Sequence, residues 1–184
     1  MVAEQAVASR TPWLEVGQAI GVADAAAPVS EIEVILELHD LIMSRNMPRE
    51  EWRAFLQHGT RTGKLGTVRK DGRPHVVPIW FVMDGDDVMF TTGASSLKAL
   101  AMRRDPRVCL CADSEDPPYA FVMVEGVATL SDDVAEMLPY ATAIGGRYMG
   151  AARAEEFGRR NAVQGELLVR ITPTRVLAED DITG

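Results

Sequence analysis

The sequence predicts a mainly β fold with flanking helices, an α+β arrangement built around a small antiparallel barrel. From Lys64 onward the spacing of apolar residues changes from helical to strand-like, and at least five strand segments follow one another as a meander. Asp71-Gly72 separates two of these segments and is a strong hairpin signal. Only one short helix interrupts the first four strands. Closing such a sheet into a barrel would remove its exposed edges, which favours a barrel over an open sheet.

We expect two parts along the chain. The first, residues 1–46, is an N-terminal arm that joins a linker-like stretch over 1–29 to an amphipathic helix over 31–45. Ser30 begins a capping box at the start of that helix. The second part, residues 47–184, is predicted to form the barrel domain as a single unit.

The expected elements of the barrel domain follow from local signals. A helix should begin near Pro48 and end at Gly59. Glu125-Gly126 suggests a bulge in a long strand where another backbone approaches, and Pro139 is a flaw or break in a helix. The predicted strands are residues 65–68, 74–83, 88–92, 107–112, 119–130, 167–171 and 175–177, and the predicted later helices are 134–149 and 151–161.

Composition excludes several classes of function. The 184 residues carry a formal net charge of −8, which argues against a general nucleic-acid binder. No apolar run approaches the roughly 20 residues that span a bilayer, and the N-terminus lacks the features of a secretory signal. Cys109 and Cys111 are too close for a disulfide staple, and they lack nearby histidines for a zinc site. We therefore expect a cytoplasmic protein without a metal site and with no nucleic-acid or membrane partner.

The segment over residues 91–108 is the first candidate site. Thr91 and Thr92 end a strand, and a loop of small residues leads into a short helix that Pro106 terminates. This segment predicts a phosphate-binding site, because it offers hydroxyl groups, free backbone N–H groups at a helix start and Lys98 in the first turn. Four basic residues against one acidic residue favour an anionic ligand; they are Lys98, Arg103, Arg104 and Arg107 against Asp105. A capped surface helix with a solvated basic face explains the pattern equally well.

A nucleotide-binding loop is rejected. The run from Gly59 to Lys64 has three residues between its glycines where the phosphate loop requires four, and Leu65 stands where a metal-binding hydroxyl belongs. The sequence also has no Gly-x-Gly-x-x-Gly motif, so a Rossmann dinucleotide site has no support.

His75 and Pro78 lie in one predicted strand. Pro78 has no backbone N–H to donate to a neighbouring strand, which indicates an edge strand or a bulge. Such a strand could leave its backbone free to contact a flat ligand. An ordinary edge strand is the simpler interpretation. Trp80, Phe81 and Tyr119 are expected in the core, with stacking against a ligand as the alternative.

The order of several motifs resembles a known family. Gly-Thr-Val at 66–68, Asp-Gly-Arg-Pro-His-Val-Val-Pro at 71–78, Phe-Thr-Thr at 90–92, Asp-Pro-Arg-Val at 105–108 and Glu-Gly-Val-Ala at 125–128 follow one another. Together they resemble the pyridoxamine-phosphate-oxidase-like superfamily of flavin and deazaflavin oxidoreductases, which implies an FMN-binding split β-barrel. Pro-His-Val-Val-Pro and Thr-Thr-Gly-x-x-Ser-x-Lys-Ala are most similar to the branch that uses coenzyme F420, an 8-hydroxy-deazaflavin.

The resemblance implies an F420-dependent oxidoreductase that transfers a hydride to an electron-poor C=C, C=N or nitro group of a small organic substrate. It also implies a homodimer with cofactor sites at the interface, to which groups near Arg147 and Tyr148 of the second subunit contribute. No catalytic side chain is assigned. The implied cofactor-binding residues are His75, Val76, Val77, Pro78, Thr91, Thr92, Ser96, Leu97, Lys98 and Cys111.

Two alternatives stay open at the level of sequence. The first is an FMN-dependent oxidoreductase of the same fold. The second is a non-catalytic protein that carries a deazaflavin or binds haem, with His75 as an axial candidate. The resemblance favours F420 over FMN, because Val77-Pro78-Ile79-Trp80 stands where pyridoxamine phosphate oxidases have the arginine–lysine pair that grips FMN.

Overall fold

A computed structural model of the protein describes residues 45–182. The predicted arm over 1–29 and the predicted helix over 31–45, except Arg45, lie outside the described residues, so the division at residue 46 stays a prediction. The strands are β1 (Arg45–Asn46), β2 (Gly63–Val68), β3 (Pro74–Ile79), β4 (Val82–Asp84), β5 (Asp87–Gly93), β6 (Arg107–Asp113), β7 (Phe121–Ser131) and β8 (Glu166–Asp180). The helices are α1 (Arg49–Gln57), α2 (Leu97–Arg104), α3 (Val134–Met149) and α4 (Ala154–Asn161).

The strands form one antiparallel sheet in the order β3-β2-β6-β7-β8-β5-β4, with β1 paired to the end of β8. The long strand β8 connects the two parts of the sheet, because it pairs with β7 along most of its length and with β5 through its first six residues. Strands β3 and β4 end the order on either side although they follow one another in the chain. The predicted mainly β fold with flanking helices is confirmed.

Alternating burial defines the two faces of the sheet. In β2, Leu65 and Thr67 are buried while Val68 is exposed, and in β6 the buried residues alternate with half-buried ones. The buried side faces α1, whose Trp52 and Leu56 join the same core cluster. This alternation is the period of two expected for a sheet with one face in the core.

The predicted hairpin is confirmed. Asp71 and Gly72 lie in the turn between β2 and β3, with φ of +83° at Gly72. The turn is closed by the N–H of Arg69, which donates to the carbonyl of Arg73 over 2.9 Å. Glycine adopts this left-handed conformation without the cost that a Cβ would add.

The single strand predicted over 74–83 is wrong, because β3 ends at Ile79 and β4 begins at Val82. The backbone of Phe81 is bound by side chains instead of by a neighbouring strand. Its N–H donates to the hydroxyl of Tyr148 over 3.2 Å, and its carbonyl accepts from Arg147 over 2.8 Å. Two residues of α3 therefore interrupt the ladder.

The two C-terminal strands predicted around Pro173 are instead the single strand β8. The sheet accommodates Pro173 by a register shift, since Glu125 pairs with Arg175 and Gly126 with Pro173. The extra residue, Thr174, donates its hydroxyl to the carbonyl of Glu125 over 3.1 Å. The bulge predicted at Glu125-Gly126 is confirmed, with the extra residue on β8.

The later helices largely follow prediction. Helix α3 continues through Pro139 without a break, and the side chain of Asp133 caps its start by accepting from the N–H groups of Ala135 and Glu136. The helix predicted over 151–161 begins with a short 3₁₀ turn, Ala151–Arg153, before α4.

Gly126→Ala should lower the free energy of unfolding by about 1–3 kcal/mol, the usual cost of overpacking. A Cβ at this position would lie 2.6 Å from the carbonyl oxygen of Thr172 and 2.7 Å from Ile171. Gly93→Ala is the control, because its Cβ would meet only the end of the Glu166 side chain at 3.4 Å. Equal urea-unfolding midpoints for the two variants would contradict the close approach.

Candidate functional site

The end of β5 and the start of α2 are joined by hydroxyl groups. The Oγ1 of Thr92 lies 3.1 Å from the Oγ of Ser96, which also accepts from the N–H of Ala99 over 3.3 Å. Ser96 is therefore the N-cap of α2. Thr92 is buried, whereas Thr91 is half-buried on the other face of β5. The arrangement leaves the N–H groups of the first helical residues, Leu97 and Lys98, without partners inside the helix.

Three of the four basic residues in this segment have fixed partners. Arg103 donates to the carbonyl of Ala94 over 2.9 Å, and Arg104 donates to the carbonyl of Val68. Arg107 forms a bidentate pair with Asp105, which lowers the pKa of that carboxyl to about 2.

Lys98 differs from these three arginines. Its ammonium makes no hydrogen bond or ion pair with any residue of the described part of the chain, and the side chain is half-exposed in the first turn of α2. A cation at this position can reach an anion held at the start of the helix.

A cleft of about 650 Å³ lies between α2 and the β2–β3 hairpin. The hairpin contributes polar residues, and the helix contributes apolar ones together with Arg104. Leu97 is 63% exposed and Leu100 is 50% exposed. His75 lines the cleft, and its Nδ1 is buried without a hydrogen-bond partner among residues 45–182. The lining residues are Arg69, Lys70, Asp71, His75, Leu97, Leu100, Ala101 and Arg104.

This cleft suits an anionic ligand that also has an apolar part. Three cationic side chains against one carboxylate give its rim a positive balance, although one of them, Arg104, already donates to the carbonyl of Val68. The leucines offer a surface from which water can be displaced. The sequence prediction had missed Arg69, Lys70 and Asp71, because a hairpin turn carries no local signal that it faces a helix 26 or more residues later in the chain.

The alternation of side chains along β3 divides the residues from His75 to Pro78 between the two faces of the sheet. Val77 lies opposite Leu65 and packs against the core, and His75 lies opposite the buried Thr67. The two other residues of the run, Val76 and Pro78, lie on the opposite, outer face of the sheet.

Cys111 also lies on this outer face. Its β2 neighbour Lys64 is paired with Pro78 on one side and with Cys111 on the other. Burial raises the pKa values of the Cys111 and Cys109 thiols, and the carboxylates of Asp113 and Glu125 add to the respective shifts. The thiols are therefore held in their protonated, less reactive form.

Arg147 and Tyr148, near which the resemblance implies a contribution from the second subunit, make hydrogen bonds within their own chain. The Nε, Nη1 and Nη2 of Arg147 donate to the carbonyls of Gly59, Phe81 and Leu56 over 2.9, 2.8 and 2.6 Å, respectively. The guanidinium also lies over the ring of Phe81, with its central carbon 4.6 Å from the ring centroid. Burial lowers the pKa of Arg147, but all three nitrogens are satisfied within the same chain.

Tyr148 has a similar internal role. Its hydroxyl donates to the carbonyl of Arg61 over 2.7 Å and accepts from Phe81, and burial raises its pKa. Its ring stacks on Trp80 with centroids 4.9 Å apart and an interplanar angle of 3°. The core prediction is correct for Phe81 but wrong for Trp80 and Tyr119, which are each 40% exposed.

Two further findings concern the described residues only. Among residues 45–182, no group of three or more histidine, cysteine, aspartate or glutamate side chains could hold a metal ion. In the same range, no helix combines the length and apolar character needed to cross a membrane.

Residues 48–179 match the sequence profile of the family described as pyridoxamine 5'-phosphate oxidase. The chain belongs to this family. The match covers every strand of the sheet except β1 and the last residue of β8, so the family assignment and the split-barrel fold rest on the same residues. None of the curated proteins matches this sequence.

Solved structures share the family fold. The conserved hypothetical protein Rv2991 of Mycobacterium tuberculosis is 29% identical, with a TM-score of 0.65 over 73% of this chain and 86% of that one. An F420 reductase is 24% identical, with a TM-score of 0.54 over 67% and 94% of the two chains. The FAD binding protein of Mycobacterium smegmatis is 24% identical, with a TM-score of 0.53 over 74% and 98%.

Replacing Arg147 with methionine should lower the free energy of unfolding by about 2–4 kcal/mol, because three carbonyls lose a charged donor while the apolar stem is kept. Arg159→Met is the control, since Arg159 forms an exposed pair with Glu155 and its loss should change little. Urea unfolding measures both variants. A stable Arg147→Met protein with impaired ligand binding would instead assign Arg147 to the site.

Proposed function

We propose that this protein is an oxidoreductase that binds coenzyme F420 and transfers a hydride to an electron-poor C=C, C=N or nitro group of a small organic substrate. The observation that carries the proposal is the cleft beside α2, which has a positively charged rim and an apolar floor. The first turn of the same helix adds Lys98, which has no partner among residues 45–182. Membership of the pyridoxamine 5'-phosphate oxidase family and the F420 reductase among proteins of the same fold support it.

The residues present fit such a cofactor. The phosphate would be held by Lys98 and by the free N–H groups at the start of α2, beside the hydroxyl of Ser96. Thr91 lies on the other face of β5 from the Thr92 that meets Ser96. Thr92 would contribute indirectly, because its hydroxyl is hydrogen-bonded to Ser96. The orphaned Nδ1 of His75 offers a further polar partner inside the cleft.

The flat ring of the cofactor would lie along β3. Within residues 45–182 this strand ends the sheet order, so no neighbouring strand of that range engages the backbone groups on its free edge. Val76 and Pro78 face outward there, and Pro78 brings no N–H to this edge. Cys111 lies two strands away on the same face, and its small, protonated side chain would line the proposed ring site.

When bound in its reduced form, the deazaflavin supplies the hydride, and the acceptor atom next to the one reduced takes a proton. We assign that proton to solvent, since the carboxylate of Asp113 on this face is already paired with Lys64. The work of the chain is to bind the ring, orient it and keep water from its reactive face.

We also propose a homodimer with the cofactor sites at its interface. The outer face of the sheet exposes three valines, Val68, Val76 and Val127, that are 42%, 62% and 38% exposed. They share this face with Pro78 and the two cysteines. A second copy would bury this apolar surface next to β3, where the ring is proposed to lie.

Titration of the purified protein with oxidised F420 and with FMN tests the cofactor. We expect saturable binding of F420, and turnover of a nitro or enone acceptor when the cofactor is reduced. Tight binding of FMN without binding of F420 would contradict the proposal and favour a flavin enzyme. F420 binding without turnover of any acceptor would indicate a carrier, and a Soret band after haem addition would indicate a haem protein.

Lys98→Ala should weaken F420 binding by about 1–3 kcal/mol, or about 5- to 150-fold in Kd, because a charge-assisted contact to the phosphate is lost. Lys98→Arg should keep most of the affinity. Arg159→Ala removes the same charge from an exposed position on α4 and should leave the Kd unchanged. An unchanged Kd for Lys98→Ala would make the start of α2 a structural element only.

A further inference from the structure

Trp80 presents an open aromatic face at the end of β3. Its indole stacks in parallel on Tyr148, with the centroids 4.9 Å apart, yet the residue is 40% exposed. Because Tyr148 covers one face of the ring, the opposite face, the ring edge and the backbone are left to account for the exposed fraction. Its chain neighbours Ile79 and Phe81 are both buried, so this exposure is confined to the tryptophan.

Hydrogen bonds of Tyr148 and Arg147 hold the stack in place. The Tyr148 hydroxyl is fixed between the carbonyl of Arg61 and the N–H of Phe81, so the ring beneath Trp80 cannot turn away without losing both bonds. The carbonyl of Phe81, the residue next to Trp80, is bound by Arg147. The indole is therefore a preorganised surface, and a ligand that stacks on it would not need to order the side chain first.

Trp80 lies in line with the residues proposed to contact the cofactor ring. Burial alternates beyond the end of β3, with Ile79 inside, Trp80 outside and Phe81 inside. Trp80 therefore continues the outer row of Val76 and Pro78, along which the cofactor ring is proposed to lie. A flat molecule stacked on Trp80 would therefore lie next to the proposed position of the cofactor ring.

We propose that the exposed face of Trp80 is the stacking surface for the acceptor, so that the enzyme selects planar aromatic acceptors over saturated ones. This inference rests on the proposed function and adds the substrate class to it. An electron-rich indole attracts an electron-poor ring, and stacking removes apolar surface of both from water. An exposed tryptophan that only covers Tyr148 is the competing interpretation.

Nitrobenzene and nitrocyclohexane are matched probes, because they share the nitro group and ring size but differ in aromaticity. Ligand-observed NMR titration of the protein loaded with oxidised F420 gives both dissociation constants without turnover. We expect wild type to prefer nitrobenzene by at least about fivefold, on the scale of aromatic stacking. Equal affinities for the two probes would overturn the proposal.

Trp80→Leu keeps a large apolar side chain without an aromatic face and should weaken nitrobenzene binding about tenfold, whereas Trp80→Phe should stay within about threefold of wild type. Tyr119→Leu is the control, since Tyr119 is also 40% exposed but lies before β7. A Trp80→Leu protein that binds nitrobenzene like wild type, or a Tyr119→Leu protein that loses as much, would contradict the assignment.

A second measurement does not depend on the folding of Trp80→Leu. The indole N–H resonance of Trp80, assigned by its absence in Trp80→Phe, should shift on addition of nitrobenzene and not of nitrocyclohexane. F420 affinity is recorded separately for each variant and should be unchanged. Loss of F420 affinity in Trp80→Leu with nitrobenzene binding retained would assign Trp80 to the cofactor and overturn the proposal.

Failure of the proposed function gives a different result. If wild type binds neither F420 nor FMN, the cofactor proposal is wrong. The same nitrobenzene titrations on the protein alone then still decide the role of Trp80, because the stack consists only of residues of this chain.

Discussion

The binding of the Arg147 guanidinium to three backbone carbonyls is the interaction on which the arrangement of the site depends. It connects α3 to the end of α1, through Leu56 and Gly59, and to the connection between β3 and β4, through Phe81. Burying a guanidinium is costly, and here each of its nitrogens regains a carbonyl partner for the water it loses. With Tyr148 on the N–H of the same Phe81, this contact ends β3 at Ile79 and turns the Trp80 face outward.

The charges of the site divide into structural and available ones. Arg103, Arg104 and Arg107 all lie in or beside α2, yet their guanidinium groups hold two carbonyls and one carboxylate of the same chain. Charge counted from the sequence therefore overstates what a ligand can meet. Lys98 at the helix start and the cationic rim of the hairpin remain as the groups that favour an anion. An anionic ligand that also has an apolar part fits this division better than a small anion, because the apolar floor of the cleft lies beside the cationic rim.

Local signals predicted those features that depend on a few neighbouring residues. Asp71-Gly72 indicated the hairpin because glycine adopts the left-handed conformation that this turn needs at little cost. Ser96 and Pro106 bracket α2, because Ser96 caps its first turn and Pro106 cannot continue a helix. Gly126 indicated a close backbone approach for the same kind of reason. From these elements and their order the split-barrel fold could be predicted, together with the half of the site that surrounds Ser96 and Lys98.

The sequence by itself thus determined most of the strands, the β2–β3 turn, the start of α2 and the family. Only the tertiary structure decided where β3 stops, that β8 is continuous across Pro173, that the hairpin faces α2, and that Arg147 points inward. The physical reason is the sequence separation of the partners: Arg147 binds carbonyls 66 to 91 residues away, and Thr174 of β8 binds the carbonyl of Glu125, 49 residues earlier. Such contacts leave no periodicity in either segment. They exist only once the sheet has brought the two segments together.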